Sequence, residues 1–467
     1  MNITLQFLGA AKSVTGSKYL LEMDRYRVMI DGGLFQGLKE LRLRNWQKLP
    51  VDPETIDHIV ITHAHIDHIG YLPRLVKDGF HGTILCTHAT KDLMKIMLKD
   101  AAKLQEEEAL FAFKRGYSKH EKPEPLFSTE DAEEVIKLVK SFPFENRIPI
   151  NSVSSVCFYN SGHILGSAIA EITIQGNHQE KKIVFSGDLG RYDDPIMYEP
   201  QAIHEADVLI VESTYGDRNN PMEDVEKNLS QIVNEVYPQE GAIVIPAFAV
   251  GRTQTLIYYL LKAMASKRIP ILPIYIDSPM AINVTDLYER HSTHHKIKVT
   301  PQGHELMSIF DTSNVHFCRT KEQSQALNHI KKSCVIISAS GMATGGRILH
   351  HLFHRLGREE DTILFAGYQG EGTRGRDILD GESTVRIFGE DVPVRCQVRQ
   401  IHGLSAHADQ EELLRWLHGF KNEPKRVFIT HGEEPVANTF RGLIEKELGW
   451  HATVPNYLES VSLFEGI

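Results

Sequence analysis

The run Thr62-His63-Ala64-His65-Ile66-Asp67-His68-Ile69-Gly70 constrains this chain more than any other feature. Four side chains able to ligate a metal fall within six residues, directly after the β-branched stretch 59–61. Side chains alternate at the end of a strand, so His63 and His65 point to one side, and the turn that follows can bring Asp67 and His68 toward the same space. Imidazole and carboxylate suit zinc, manganese or iron, and with no redox partner visible zinc comes first. A solvated polar loop is the alternative, and the density of ligands argues against it.

The same pattern recurs. Gly162-His163 follows an expected strand over 155–159, Gly187-Asp188 follows 183–186, and Thr430-His431-Gly432 follows 427–429. Each is a short apolar strand ending in Gly beside a ligand. One such His alone is most often a hydrogen-bonded structural residue, but the repetition places these strand ends on one cavity. The 24 histidines point the same way, since His is the commonest transition-metal ligand.

At 467 residues the chain exceeds one domain of about 150 residues. With 42% hydrophobic and 24% charged residues it is an ordinary globular protein, not a disordered or repeat-built one. The first 210 residues read as paired strands followed by strand and helix, a sandwich with helices outside, including helices over 90–113 and 129–141. From 208 to 392 strand and helix alternate strictly, which implies a parallel sheet with helices on both faces. Ligands stop at Asp188 and resume at His431, so this segment reads as an insertion. The expected domains are 1–207, 208–392 and 393–467, the outer two forming one catalytic unit.

No secretion signal heads the chain and no apolar run approaches about 18 residues, so no membrane partner is expected. Five widely spaced cysteines with no CxxC pair suggest a reducing, cytoplasmic setting. The net charge of −10 gives no global basic footprint, so a nucleic-acid partner would need a local patch.

The residues His63, His65, Asp67, His68, His163, Asp188 and His431 resemble the ligand set of the metallo-β-lactamase fold. That resemblance implies an αββα sandwich, an α/β fold, carrying two zinc ions per chain. His63, His65 and His163 would hold one, Asp67, His68 and His431 the other, with Asp188 bridging. Asp31, in Ile30-Asp31-Gly32-Gly33, matches the family's early aspartate, which supports the ligand loop. His65 stands where the diiron flavoprotein branch carries Glu, which speaks against oxygen reduction.

The insertion resembles the β-CASP nucleic-acid-processing branch. The matching motifs include Glu212-Ser213-Thr214-Tyr215-Gly216, Gly251-Arg252-Thr253-Gln254, Asp277-Ser278-Pro279-Met280-Ala281, Gly341-Met342-Ala343-Thr344-Gly345-Gly346-Arg347, Gly367-Tyr368-Gln369 and Ser405-Ala406-His407-Ala408-Asp409. The resemblance implies a ribonuclease, hydrolysing RNA phosphodiesters with Asp67, His407 and Glu212 as catalytic residues. His407 would be the general acid, held by Glu212; a plain helix cap before Asp409 is the competing role. Ser338, Gly341, Gly345 and Gly346 follow an apolar strand and open a helix, where backbone N–H groups can meet an anion. Arg252 and Arg374 add positive charge for phosphate. His431 is of the kind associated with RNA-directed members, where DNA-directed ones tend to be apolar. A DNA nuclease is the runner-up, ahead of a small-molecule hydrolase for ester, lactam or thioester, which has no use for the long insertion. A homodimer or an RNA-processing complex is expected to supply further substrate affinity.

Overall fold

The computed structural model describes residues 1–115, 123–176, 179–220, 223–297, 313–367, 369–370 and 372–466. Tyr368 of the Gly367-Tyr368-Gln369 motif lies outside them. Two compact units emerge, one made of 1–219 with 407–467, the other of 220–406.

Among the described residues the first unit has two seven-stranded sheets. One runs in the order Ser460–Phe464, Ile3–Phe7, Tyr19–Met23, Tyr26–Ile30, His58–Val60, Thr83–Thr87, Val139–Phe142; the other Ala452–Thr453, Arg426–Thr430, Val208–Glu212, Glu180–Phe185, Ala168–Gln175, Ser154–Asn160, Ile148–Pro149. The alternating apolar residues of both sheets meet in one core, with Phe7, Ile30, Val60, Phe158, Phe185, Ile210 and Phe428 all buried in it. Each such side chain contributes roughly 1.5–3 kcal/mol of burial.

Helices cover the outer faces. Gln410–Leu417 and Glu434–Leu448 turn Leu413, Trp416, Phe440 and Ile444 onto Val211, Val427 and Ile429 of the second sheet. His88–Arg115 and Thr129–Leu138 pack together, the latter opened by a reciprocal Ser128–Asp131 cap. The αββα sandwich of the expectation is therefore the observed fold. The second helix stops at Leu138 instead of 141, because Val139–Phe142 pairs in parallel with Thr83–Thr87.

The second unit carries six parallel strands among the described residues, in the order Val315–Phe317, Ile274–Ile276, Cys334–Ser338, Ala242–Pro246, Thr362–Ala366, Gln397–Ile401. The central runs AIVIP, CVIIS and TILFA are buried at every residue, as a parallel sheet covered on both faces requires. The unit boundaries differ from the expected 207/208 and 392/393. Val208–Glu212 sits between Glu180–Phe185 and Arg426–Thr430 in the first unit, and Gln397–Ile401 extends the insertion's sheet from Thr362–Ala366. No described helix is long and apolar enough to cross a membrane.

Candidate metal centre

The strand ends build the site, all of it within the first unit. His58–Val60 is an inner strand, between Tyr26–Ile30 and Thr83–Thr87, so the chain leaving its end carries Thr62 to His68 off the sheet edge. Asp31, one strand over, adopts φ 58°, a left-handed conformation that Asp tolerates better than most residues. It accepts from the Thr62 backbone N–H at 2.8 Å and the Thr62 hydroxyl at 2.8 Å, and from His68 Nδ1 at 2.7 Å. That bond anchors Nδ1 on a carboxylate and turns Nε2 inward, the usual orientation of a metal-ligating His. Gly33 is required here, since a Cβ would overlap the Asp67 carbonyl. The same carbonyl accepts from Ser17 N at 2.9 Å, which fixes the turn.

Seven side chains converge in two groups. His63 Nε2 and His163 Nε2 lie 3.2 and 3.1 Å from His65 Nδ1, and 3.4 and 3.6 Å from Asp188 Oδ2. His431 Nε2 lies 3.1 Å from His68 Nε2 and 3.3 Å from Asp67 Oδ2, with Asp188 Oδ1 3.4 Å from His68 Nε2. Zinc–nitrogen bonds of about 2.0–2.1 Å in a tetrahedron put neighbouring donors ~3.3 Å apart. The donor spacings match that edge.

The chemistry of the donors agrees. Burial, reinforced by the neighbouring His68, lowers the His63 pKa, and burial outweighs Asp67 and takes His65 down to about 4. Both rings are therefore neutral and offer lone pairs. Burial opposes charge on Asp188 too, but His431, His68 and His63 outweigh it and hold the carboxylate ionised. Asp188 Oδ1 is buried, and its nearest polar neighbours are His68 Nε2 at 3.4 Å and His431 Nδ1 at 3.6 Å, long contacts for a buried charge. On the other side burial works against charged His68 and His431, but Asp188 leads the acids that raise both pKa values, so the protons these rings carry are what a cation would replace, and the residues fit zinc.

Beside this cluster stands His407. Its Nδ1 is 3.4 and 3.5 Å from the two Glu212 oxygens and 4.0 Å from Asp188 Oδ2. Glu212, buried at the end of its strand, accepts from Leu189 N at 2.6 Å and Thr214 N at 3.3 Å. Burial disfavours the charged imidazole, yet the Glu212 carboxylate, with Asp188 behind it, lifts its pKa to about 9. The helix cap is Asp409, paired reciprocally with Glu412, so capping does not account for His407.

Some contributors escape sequence reasoning. Thr214 Oγ1 meets His431 Nδ1 at 3.0 Å, and its position inside the Glu212 motif was the available signal. Lys18 is fully buried and donates to Gly33 O at 2.6 Å and Gly16 O at 3.1 Å, bracing the Asp67 turn, with burial and then Arg44 bringing its pKa down to about 7. Nothing in the sequence marks it.

The expected phosphate-contact residues belong to the insertion. Arg252 opens the helix Arg252–Ala265 and donates to Leu404 O at 3.1 Å. Arg374 donates to Ala343 O at 2.7 Å and Arg386 O at 2.9 Å, tying down the glycine turn. Within that turn the Gly345 N–H is taken by Ser340 Oγ, and Gly341 O by Gln369. Gly346, with φ 83°, packs where a Cβ would press on the Ala339 carbonyl. Ser338 is buried, and its hydroxyl donates to Asp277 O at 2.7 Å, an internal tie. Arg347 likewise grips Asp277 at 2.7 Å.

Comparison with known proteins now bears on the whole chain. Residues 14–157 match the metallo-beta-lactamase superfamily, 253–378 the Beta-Casp domain, and 391–455 the Zn-dependent metallo-hydrolase RNA specificity domain. The transcription termination factor FttA of Methanocaldococcus jannaschii is 28% identical over 98% of this chain and 71% of its own length. An RNase J-like protein of the same organism is 28% identical over 97% of this chain and 98% of its own. A crystal structure of a protein of unknown function from Enterococcus faecalis V583 shares the fold, with a TM-score of 0.55 and 13% identity over 99% of this chain and all of that one. Ribonuclease TTHA0252 of Thermus thermophilus is 37% identical over 91% of this chain and 92% of its own length. With a relative that similar from end to end, the chain belongs to the β-CASP ribonuclease family of zinc-dependent metallo-β-lactamase-fold hydrolases.

Proposed function

We propose that this chain cuts RNA endonucleolytically at a centre of two zinc ions, one on His63, His65 and His163, the other on Asp67, His68 and His431, with Asp188 shared. The carrying observation is the buried Asp188 between the two groups, its Oδ2 facing His63 and His163 at 3.4 and 3.6 Å and its Oδ1 facing His68 and His431 at 3.4 and 3.6 Å. When bound, such a pair supplies Lewis-acid polarisation of a phosphoryl oxygen and brings the pKa of a water toward 7.

The chain's own residues do the rest. Asp67, whose side chain is 18% exposed where that of Asp188 is 2%, reaches the open side and orients the attacking water. His407, kept protonated by Glu212, donates its proton to the leaving 3′ oxygen, a task worth about 10²–10⁴-fold. Glu212 holds the imidazolium in place and favours its return to the charged form. Asp31 fixes His68 through Nδ1. In the insertion, Arg252, Arg374 and the turn at Gly341, Gly345 and Gly346 bear on the RNA backbone, so affinity weakens steeply with salt. Five buried free cysteines support a reducing, cytoplasmic setting, and a homodimer or an RNA-processing complex belongs to the same reading.

The test uses one RNA labelled at its 5′ end or its 3′ end, with and without chelator. Internal fragments from both labels that vanish on chelation are expected. Release of mononucleotides from one end alone overturns endonucleolysis, comparable cleavage of matched single-stranded DNA makes it a general nuclease, and turnover of a β-lactam or thioester with no RNA cleavage refutes the reading.

A further inference from the structure

The excursion that leaves the sheet after Asp31 is built in two unlike parts. Its base is tight. Asn45, itself buried, donates to Phe35 O at 2.8 Å and accepts from Phe35 N at 2.9 Å, closing the loop between residues ten positions apart. The Arg44 guanidinium lies over the Tyr457 ring at 4.2 Å and near the Phe35 ring at 5.4 Å. Gln36 N donates to Thr15 Oγ1 at 3.1 Å. The geometry is thus fixed by interactions that use none of the loop's outer side chains.

The outer side chains are apolar and basic together. Leu38, Leu43 and Trp46 are 66%, 52% and 53% exposed, although the other two tryptophans, Trp416 and Trp450, are 1% and 8% exposed. The short helix Lys39–Arg44 buries none of its residues. Lys39, Arg42 and Lys48 stand exposed among these apolar groups, and their side chains make no ion pair or hydrogen bond among the described residues. Basic residues outnumber acidic ones between Gly37 and Pro50, in a chain whose net charge is −10. Stability does not explain a rigid loop that holds an indole in water, and exposed apolar groups rimmed by polar ones mark interaction sites.

We infer that this loop, presenting Trp46 with Lys39, Arg42 and Lys48, is a docking surface for single-stranded RNA, on the unit that bears the metal centre. Charge selects the occupant: a polyanion meets three unpaired cations, and an exposed indole offers the flat face on which an unstacked base rests, as single-strand binding proteins combine the two. The chain runs from Asp31 to Phe35 before the loop opens, so a strand held here is presented to the unit that cuts it. The inference rests on the ribonuclease reading above and adds a docking point outside the insertion.

The test takes the full chain, chelated so that RNA is bound but not cut, and follows tryptophan emission and RNA affinity together. Trp46→Ala is expected to weaken single-stranded RNA binding about 5–100-fold and to abolish most of the RNA-induced quench, since the other two indoles are buried. Lys39→Ala with Arg42→Ala is expected to lower the salt slope by about 0.7 for each phosphate no longer neutralised. Zinc content and turnover of the small diester bis(p-nitrophenyl) phosphate should be unchanged in all variants, which separates docking from catalysis and from misfolding. Equal RNA affinity and equal quench in Trp46→Ala overturn the inference. So does a self-association of the wild type that Trp46→Ala abolishes with RNA affinity intact, which would assign the surface to a second copy. A wild type that cuts RNA while Trp46→Ala binds it normally sinks this inference alone; a wild type that neither binds nor cuts RNA sinks the ribonuclease reading with it.

Discussion

The two units treat their buried acids in opposite ways. In the insertion, Asp277 is fully buried and receives Arg347 Nη1 at 2.7 Å, His351 Nε2 at 2.7 Å and Ser324 Oγ at 2.6 Å. Burial works against its charge, but these three donors hold its pKa below the usual carboxylate range. Arg355 and Asp361 likewise meet at 2.9 Å with both side chains fully enclosed. In the sandwich, Asp188 is as deeply buried, but its oxygens meet histidine ring nitrogens at 3.4–4.0 Å. An acid saturated at 2.6–2.7 Å belongs to the architecture, whereas an acid ringed by ring nitrogens at longer range leaves room for a cation between them. Both kinds look alike in a sequence.

Breaking the comparison at its strongest point means removing Asp188. Asp188→Ala should empty both halves of the centre and take RNA cleavage below detection, read by elemental analysis and by cleavage of labelled RNA; retention of two equivalents of zinc would contradict the sharing of Asp188. His407→Ala should lower kcat by about 10²–10⁴-fold with zinc content unchanged, and loss of metal would make His407 a ligand instead. The pH profile sharpens this point. A general acid with a pKa raised to about 9 is charged below that value and loses its proton above it, so kcat falls on the alkaline side. Glu212→Gln removes the charge that raises the pKa, and the alkaline limb should move to lower pH.

The insertion should respond in stability and not in metal. Asp277→Ala strands Arg347 and His351 and should cost about 3–5 kcal/mol, the range for breaking a buried pair from one side, measured by denaturant unfolding while zinc content holds. The sign with pH follows from the depressed pKa of Asp277: its contribution is fully present above the unfolded carboxylate value of about 3.9 and is lost as pH falls through the lower folded value. A stability of Asp277→Ala that tracks the wild type in acid and at neutrality would show that the three donors contribute nothing.

The metal centre was legible because its ligands crowd the ends of apolar strands, four of them in the stretch from His63 to His68. Glu212 and His407, 195 residues apart, became a pair only through resemblance to a family, since neither has a local signature. The unit boundary differs from the expected one for a physical reason: Val208–Glu212 is a parallel strand buried at all five residues, so its apolar run looks like those of the insertion it precedes. The tie of Ser338 to Asp277 spans 61 residues, so no local pattern around a strand-end hydroxyl shows it. The loop at Trp46 carries no sequence signal, since whether an indole is inside or outside is decided by the chain around it.

The place of Val208–Glu212 in its sheet has a consequence for how the protein is made. Its neighbour on one side, Glu180–Phe185, has already left the ribosome when it emerges, but its other neighbour, Arg426–Thr430, comes only after the whole insertion. At about 5–20 residues per second, roughly 200 residues take some 10–40 s to synthesise. Throughout that interval the nascent sheet carries an open edge that is apolar from Val208 to Val211, the kind of template that invites pairing with another chain. His431, at the end of the late strand, closes that edge and completes the ligand set in the same event, so the enzyme cannot become active before its most vulnerable surface has been sealed.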